Sequence, residues 1–210
     1  ANLMLNQNVT EEERIKYLHI IADESSRLAD LANSTLLLSK LDSQQIITDK
    51  KVYSLSEQLR QCVIMLSSSW EEKHITLNGD IDELSYNGNG ELMQHLWLNL
   101  LTNAIKYTND GGEISVSLKK DSTQKNVIIA TISDNGCGMD EETSAHIFEK
   151  YYQGKTIQAV KGLGLGLSIV KRIVDLCGGT ILVKSKVDEG TSFTVALPTE
   201  NLETQVISKR

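Results

Sequence analysis

Mostly apolar or small residues recur at intervals of three and four from Ile15 through Leu18, Ala22, Ser25, Leu28, Ala32 and Thr35, and Ile21, Leu31 and Leu38 widen the stripe. Thr10, with Glu13 three residues on, has the pattern of a capping box, so a helix of roughly thirty residues is expected to start there. Ahead of it, residues 1 to 9 read as the end of one helix followed by a polar loop. So long a stripe exceeds what a lone surface helix needs and points to a bundle or coiled-coil partner.

Beyond it, Ser39 to Lys51 is polar and reads as a linker. A short strand at Lys51 to Tyr53 precedes Ser54, an N-cap with Glu57 at the capping-box position, and a helix to about Glu72. Alternation predicts strands at His74 to Ile81 and Leu84 to Tyr86, either side of a turn at Asp82 and Glu83. A helix follows over Gly90 to Tyr107, with Leu92, Leu96, Leu100, Ile105, Trp97 and Leu101 as its buried face, ended by the Asn-Asp-Gly-Gly turn at 109 to 112. Next come strands at 113–120 and 126–133, a short helix at 140–147, a helix from Leu167 to Leu176, and strands at 180–187 and 191–197 joined through Asp188, Glu189 and Gly190. This order implies an α+β fold, with helices on one face of a mixed, largely antiparallel sheet.

The 210 residues suffice for one domain with a sizeable core plus an appendage. Acidic residues outnumber basic ones, 28 against 21, and a net charge of −7 argues against nucleic acid held through a basic face. Cys62, Cys137 and Cys177 are odd in number and lack metal-ligand spacing, so a reduced, cytosolic setting is expected, with each thiol a small core or turn residue. No apolar run approaches the ~20 residues of a membrane span and no signal peptide opens the sequence. Ala1 stands where an initiator Met would, and a soluble piece of a longer protein is expected.

Chemistry gathers between Asp134 and Val170. This stretch holds two glycine clusters, Gly136 with Gly138 and Gly162 with Gly164 and Gly166, around a polar segment with Lys150, Tyr151, Tyr152, Lys155 and Lys161. Glycine allows positive φ and lets a ligand approach main-chain N–H groups. One such pair usually marks only a turn, but two clusters suggest two walls of one site. The second cluster opens into the amphipathic helix from Leu167, whose free N–H groups and positive dipole end suit an anion such as phosphate. Asp134 ends the strand-like run NVIIATIS, where a carboxylate can accept from an amine edge. A base and a phosphate together suggest a nucleotide. Neither the G-x-x-x-x-G-K-[ST] loop nor the G-x-G-x-x-G fingerprint occurs, since Gly162, Gly164 and Gly166 alternate with leucines. On the helix over 90–107, Asn99 and Asn103 stand four apart on one side. Such an amide oxygen can ligate magnesium, which keeps several waters and takes other ligands from phosphates. Lys106 and Tyr107, one turn further, could meet a phosphate and lie against a base.

These residues resemble a known family. NLLTNAIKYT is similar to the N box, DNGCGM to the first glycine box, IFEKYYQG to the F box and GLGLGLSIVKRIV to the second glycine box of sensor histidine kinases, in that order and at the usual spacing. The helix with ESSRLADLANSTLLLSKLDS resembles the second helix of their dimerisation and phosphotransfer domain, so the resemblance covers the whole chain. It implies a Bergerat-type two-layer α/β sandwich, shared by gyrase, chaperone, histidine kinase and MutL ATPases, preceded by a long bundle helix. It divides the chain into a truncated dimerisation and phosphotransfer region at 1–45, an ATP-binding catalytic domain at 46–200 and a polar tail at 201–210. By the same likeness Asn103 holds magnesium, Asn99 supports metal or phosphates, Lys106 contacts phosphate and Tyr107 flanks the purine. Asp134 takes the adenine amino group, with Gly136, Gly138 and Met139 shaping the pocket floor and Thr191 reaching adenine through water. Lys150, Tyr151 and Lys155 belong to the lid, and Gly162, Leu163, Gly164, Leu165, Gly166 and Leu167 surround the phosphates.

The implied reaction is transfer of the γ-phosphate of magnesium ATP to a histidine, for relay to an aspartate of a cognate response regulator. The implied protein is a homodimer through its bundle helices, without nucleic-acid partners, and is the cytoplasmic part of a bacterial sensor anchored to a membrane by upstream segments. Two features depart from the pattern. Many relatives carry Arg where Gln153 stands, leaving Lys150 or Lys155 to supply a lid contact. The family's acceptor His is followed by an acidic residue, whereas His19, His74, His95 and His146 precede Ile20, Ile75, Leu96 and Ile147, so the acceptor is expected outside this chain. ATP hydrolysis is the rival activity of this superfamily, but its glutamate is replaced by Leu98, just before Asn99. A module that merely positions nucleotide is the other alternative, and the intact Asn103, Asp134 and lid glycines weigh against it. The lid over 149–161 is expected to be mobile without ligand.

Overall fold

The structure, a computed structural model, describes residues 10–124, 126–154 and 163–199. Capping sets its helix starts. Thr10 Oγ1 accepts from Glu13 N at 3.3 Å while the Glu13 carboxylate accepts from Thr10 N at 3.0 Å, so both halves of the capping box open α1, Glu11–Ser43. The helix therefore runs into the segment expected to be a linker. Strand β1 (Lys51–Ser54) leads into α2 (Leu55–Met65), where the Ser54 hydroxyl accepts from Glu57 N at 3.1 Å.

The single helix expected up to Glu72 is broken at Leu66 into α2 and α3 (Ser67–Glu72). Three serines follow the break, where the Val63 carbonyl accepts from both Leu66 N and the Trp70 indole N–H. His74 does not begin a strand. It sits at φ 53°, His74 N donates to Glu71 O and Ile75 N to Trp70 O, the paired bonds of a Schellman stop. Strand β2 therefore starts later, at Thr76–Ile81, and β3 spans Ser85–Gly88. These two do not pair with each other. Ser56 holds the chain between them, its hydroxyl donating to Asp82 O at 2.6 Å and accepting from Leu84 N at 2.7 Å. β3 turns away to pair with β1.

Helix α4, Gly90–Tyr107, starts where the Asn89 side chain accepts from Leu92 N. Strands β4 (Glu113–Lys120) and β5 (Val127–Asp134) follow, then α5 (Glu141–His146), α6 (Gly166–Leu176), β6 (Thr180–Lys186) and β7 (Gly190–Pro198). The larger sheet has the order β2-β4-β5-β7-β6, parallel only between β2 and β4. Period-two alternation assigns its faces. Ile114, Val116 and Leu118 of β4, Ile128, Ala130 and Ile132 of β5 and Phe193, Val195 and Leu197 of β7 are buried. The intervening positions are largely Ser and Thr, with Thr131 bonded to Thr194 and Ser133 to Ser192 across the strands.

Met93, Leu96, Trp97, Leu100, Leu101, Ala104 and Ile105 of α4 and Ile169, Val170, Ile173 and Val174 of α6 complete the core. Each such burial contributes about 1.5–3 kcal/mol for the larger side chains. Met93 is buried where the pattern had assigned Leu92, which is only partly covered. The result is the expected mixed, mostly antiparallel sheet with helices on one face and a long helix in front.

Helix α1 behaves differently, burying only Leu38 and Leu41. Its C-terminal end is seated on α6, where the Arg172 guanidinium donates to Leu41 O and Gln44 O. Lys150 also reaches Asp42 at 2.6 Å.

Candidate functional site

A cleft of about 1130 Å³ opens between α4, the N-terminus of α6, the turn after β5 and the polar face of α1. Its floor depends on close backbone approaches. A Cβ on Gly136 would collide with the Tyr107 carbonyl, one on Gly138 (φ 61°) with the Lys186 carbonyl, and one on Gly190 (φ 96°) with the Asp134 carbonyl. Three segments, the end of α4, the turn after β5 and the β6–β7 turn, can meet here only because these positions are glycine. Cys137 N donates to Tyr107 O and Asp188 N to Cys137 O, tying the same three together.

Asp134, the last residue of β5, lies opposite Thr191 in the β5–β7 register. Its Oδ1 accepts from Gly136 N at 2.9 Å, and the backbone of Thr191 supplies a second bond. Burial pushes the carboxyl up from its ordinary range, and the two N–H bonds offset this only in part. The site thus presents a half-buried acceptor with free lone pairs, suited to a neutral amine edge.

The wall of the cleft is α4. Asn99 Nδ2 donates to His95 O at 2.8 Å, which turns its Oδ1 toward Gly166, where a Cβ would sit 2.5 Å from that oxygen. Asn103 lines the cleft one turn further on. The end of α4 is pinned by Lys73, whose ammonium donates to the carbonyls of Ile105, Lys106 and Thr108 at 2.9, 3.2 and 2.6 Å, a favourable charge at a helix C-terminus. That bracing holds Lys106 and Tyr107 in place. Lys106 Nζ stands 5.0 Å from the Tyr107 ring centroid. Burial lowers the Lys106 pKa and, with a smaller contribution from Cys137, raises that of Tyr107.

At the far end α6 begins at Gly166 with Leu165 as N-cap and no side-chain cap, so its first N–H groups retain their capacity for an acceptor in the cleft. Gly164, at φ 69°, packs against the backbone of Tyr151 and Tyr152, and Tyr151 N donates to Gly164 O at 2.8 Å.

Of the residues singled out in the sequence, Asn99, Asn103, Lys106, Tyr107, Asp134, Gly138, Met139, Leu163, Gly164, Leu165, Gly166, Leu167 and Thr191 line this one cleft. Gly136 stands behind Asp134 as its hydrogen-bond donor. The structure does not bring Lys150 or the Tyr151 ring to the cleft: Lys150 pairs with Asp42, and Tyr151 is 61% exposed. Lys155, Gly162 and residues 155–161 of the expected lid lie outside the described residues, as do residues 1–9 and the tail at 201–210. Gln153 and Tyr152, noted in the sequence within the lid region, also line the cleft; sequence reasoning missed the roles of Gly190, Ser185 and Lys73 behind it and a polar row on α1 that includes Arg27, Asp30 and Asn33. Gly190 carried a signal as a turn glycine, and Ser185 stands opposite Thr191 in the hairpin that turn joins; Lys73 and the α1 row carried none, because their neighbours are remote in sequence.

The model of the family described as "Histidine kinase-, DNA gyrase B-, and HSP90-like ATPase" matches residues 88–201. The chain is 36% identical over 186 residues to the heme sensor protein HssS of Staphylococcus saprophyticus, covering 89% of this chain and 39% of that protein. To HssS of Staphylococcus aureus it is 32% identical over 199 residues, covering 94% and 42%. It thus spans about two fifths of the length of these relatives. Among solved structures, full-length ShkA in complex with AMPPNP superposes with a TM-score of 0.76 at 24% identity, over 94% of this chain and 41% of that one. The mycobacterial sensor histidine kinase MprB gives 0.64 at 22%, over 72% and 98%. Histidine kinase ThkA in complex with response regulator protein TrrA gives 0.75 at 21%, over 99% and 56%. The structural likenesses establish the fold.

Proposed function

Since this chain belongs to the histidine kinase-, DNA gyrase B- and HSP90-like ATPase family, we propose that it is the ATP-binding catalytic part of a sensor histidine kinase, delivering the γ-phosphoryl group of ATP to a histidine for relay to a response regulator. The observation that carries this reading is the polarity of the cleft: a half-buried carboxylate acceptor at one end, uncapped helix N–H donors at the other, and Asn99, Asn103 and Lys106 between them.

Asp134 accepts from the exocyclic amine of adenine, Thr191 supports the same edge, Tyr107 flanks the ring, and Gly138 with Met139 forms the floor. The first N–H groups of α6 and the backbone of Leu163 to Leu167 hold the phosphates. Lys106 offsets their charge, and its partial burial strengthens the attraction. Asn103 offers one amide oxygen, with Asn99 bracing Gly166 behind it. The donor chemistry fits magnesium: Asn103 brings an amide oxygen to the cleft wall, the kind of hard oxygen ligand that a hydrated magnesium ion takes alongside phosphates. When bound, the metal would be held by Asn103 and would supply neutralisation of phosphate charge. The chain's own contribution is to position the γ-phosphorus for an incoming imidazole nitrogen, in line with the oxygen that leaves with ADP.

We further assign residues 1–45 to a dimerisation and phosphotransfer region, 46–200 to the catalytic domain and 201–210 to a polar tail. Exposed Ile15, Leu18, Leu28 and Leu36 support a helical partner for α1, in a homodimer working in the cytoplasm. Among the described residues no helix is long and apolar enough to cross a membrane.

Titration calorimetry tests the site. Asp134→Ala should weaken ATP and ADP alike, and Asn103→Ala should abolish only the gain that magnesium confers. Unchanged affinity in Asp134→Ala would end the assignment. Because burial raises the Asp134 pKa above its ordinary 3.8, wild-type affinity should fall on acidification earlier than an exposed aspartate would dictate.

A further inference from the structure

The hydroxyl of Ser185, on β6, has three partners in the structure. It accepts from Met139 N at 2.8 Å, lies 3.0 Å from Gly190 O and 2.8 Å from Thr191 Oγ1. A serine hydroxyl has one hydrogen and two lone pairs. The Gly190 carbonyl can only accept and the Met139 amide can only donate. All three bonds coexist in one arrangement: Ser185 gives its hydrogen to Gly190 O, and the Thr191 hydroxyl gives its own hydrogen to Ser185. The Thr191 oxygen then has only lone pairs left for the cleft, beside the Asp134 carboxylate that faces it across the β5–β7 pair.

We propose that Ser185 is a positioning residue for base selection, holding the Thr191 hydroxyl as a pure acceptor so that the base end of the cleft accepts a 6-amino purine and offers no donor to a 6-oxo purine. This rests on the nucleotide reading above and deepens it. A free threonine hydroxyl would rotate and donate to an O6 atom, blunting the distinction; Ser185 removes that option without touching the base. The same serine also fixes the Met139 amide at the cleft floor, so its loss could weaken every nucleotide somewhat. The ratio of affinities separates the two effects.

The experiment measures Kd for ATP and for inosine triphosphate, which differ in the 6-amino and 6-oxo edge, on wild type, Ser185→Ala and Ser185→Thr. Wild type should prefer ATP. Ser185→Ala should narrow the preference by roughly tenfold, about one hydrogen bond's worth of discrimination, and Ser185→Thr, which keeps the hydroxyl, should restore it. Thr191→Val should also narrow the preference, and adding Ser185→Ala to it should change the ratio no further. If Ser185→Ala does not fold, Ser185→Cys, with its weaker donor and acceptor, replaces it under the same expectation. Equal weakening of both nucleotides would leave Ser185 a purely structural residue and overturn the proposal. A wild type that binds neither nucleotide would overturn the functional reading beneath it as well.

Discussion

Helix α1 buries two of its 33 residues, whereas α4 buries seven of its 18. Both were marked by apolar residues at helical spacing, so periodicity alone did not separate them. What differs is the surface each one meets. Helix α4 packs against β5, α2 and α6, while α1 meets the domain mainly along its C-terminal part, through Leu31, Leu37, Leu38, Leu41, the Lys150–Asp42 pair and the Arg172 bonds. A hydrophobic stripe says that a face should be covered and leaves open what covers it. In α4 the cover is β5 together with α2 and α6; in α1 Leu28 is 65% exposed and Leu36 is 69% exposed.

Substitutions can break or sharpen this contrast. The largest effect should come from Trp97→Ala in α4, where a side chain at 0% exposure leaves a cavity costing about 3–5 kcal/mol; a urea-unfolding midpoint would record it. A loss under 1 kcal/mol would mean α4 is not the central packing helix.

Gly136→Ala should come next. Its new methyl would push against the Tyr107 carbonyl, costing about 1–3 kcal/mol, and ATP affinity should fall with it because the Asp134 donor moves. Full stability together with full affinity would refute the close approach.

Arg172→Ala should loosen the seat of α1 alone. Losing two charge-assisted bonds is expected to cost about 1–2 kcal/mol locally, seen as faster hydrogen exchange at residues 38–44 with the α4 amides unchanged. Acceleration spread over both helices would show that α1 and the sandwich open as one unit.

Leu28→Ala should do least, staying within about 0.5 kcal/mol as expected for an exposed site. A larger loss that grows with protein concentration would show the stripe covered by a second copy in solution.

Some of this is legible in the sequence because the rules involved are local. Thr10 with Glu13 and Ser54 with Glu57 started their helices where hydroxyls before helical runs should. Gly90 to Tyr107 was bounded by the turn that follows it, and the strand expected at 113–120 is β4. The cleft was legible as well, since glycines before a helix and amides four apart are spacings that one element fixes by itself. The misreadings concern partners. The strands flanking Asp82 looked like neighbours, yet β2 pairs in parallel with β4, a choice made by a sheet edge over thirty residues away.

Composition and spacing alone thus indicated most of the elements and most of the residues around the cleft, because capping, alternation and helical period act over a few residues. Only the tertiary structure decided that Lys150 binds Asp42 instead of the cleft, that Lys73 braces the end of α4, and that the Ser185 hydroxyl meets that of Thr191. Each is a hydrogen bond or ion pair between side chains and backbone atoms that folding alone brings within 3.2 Å, and no periodicity in the chain encodes such a meeting.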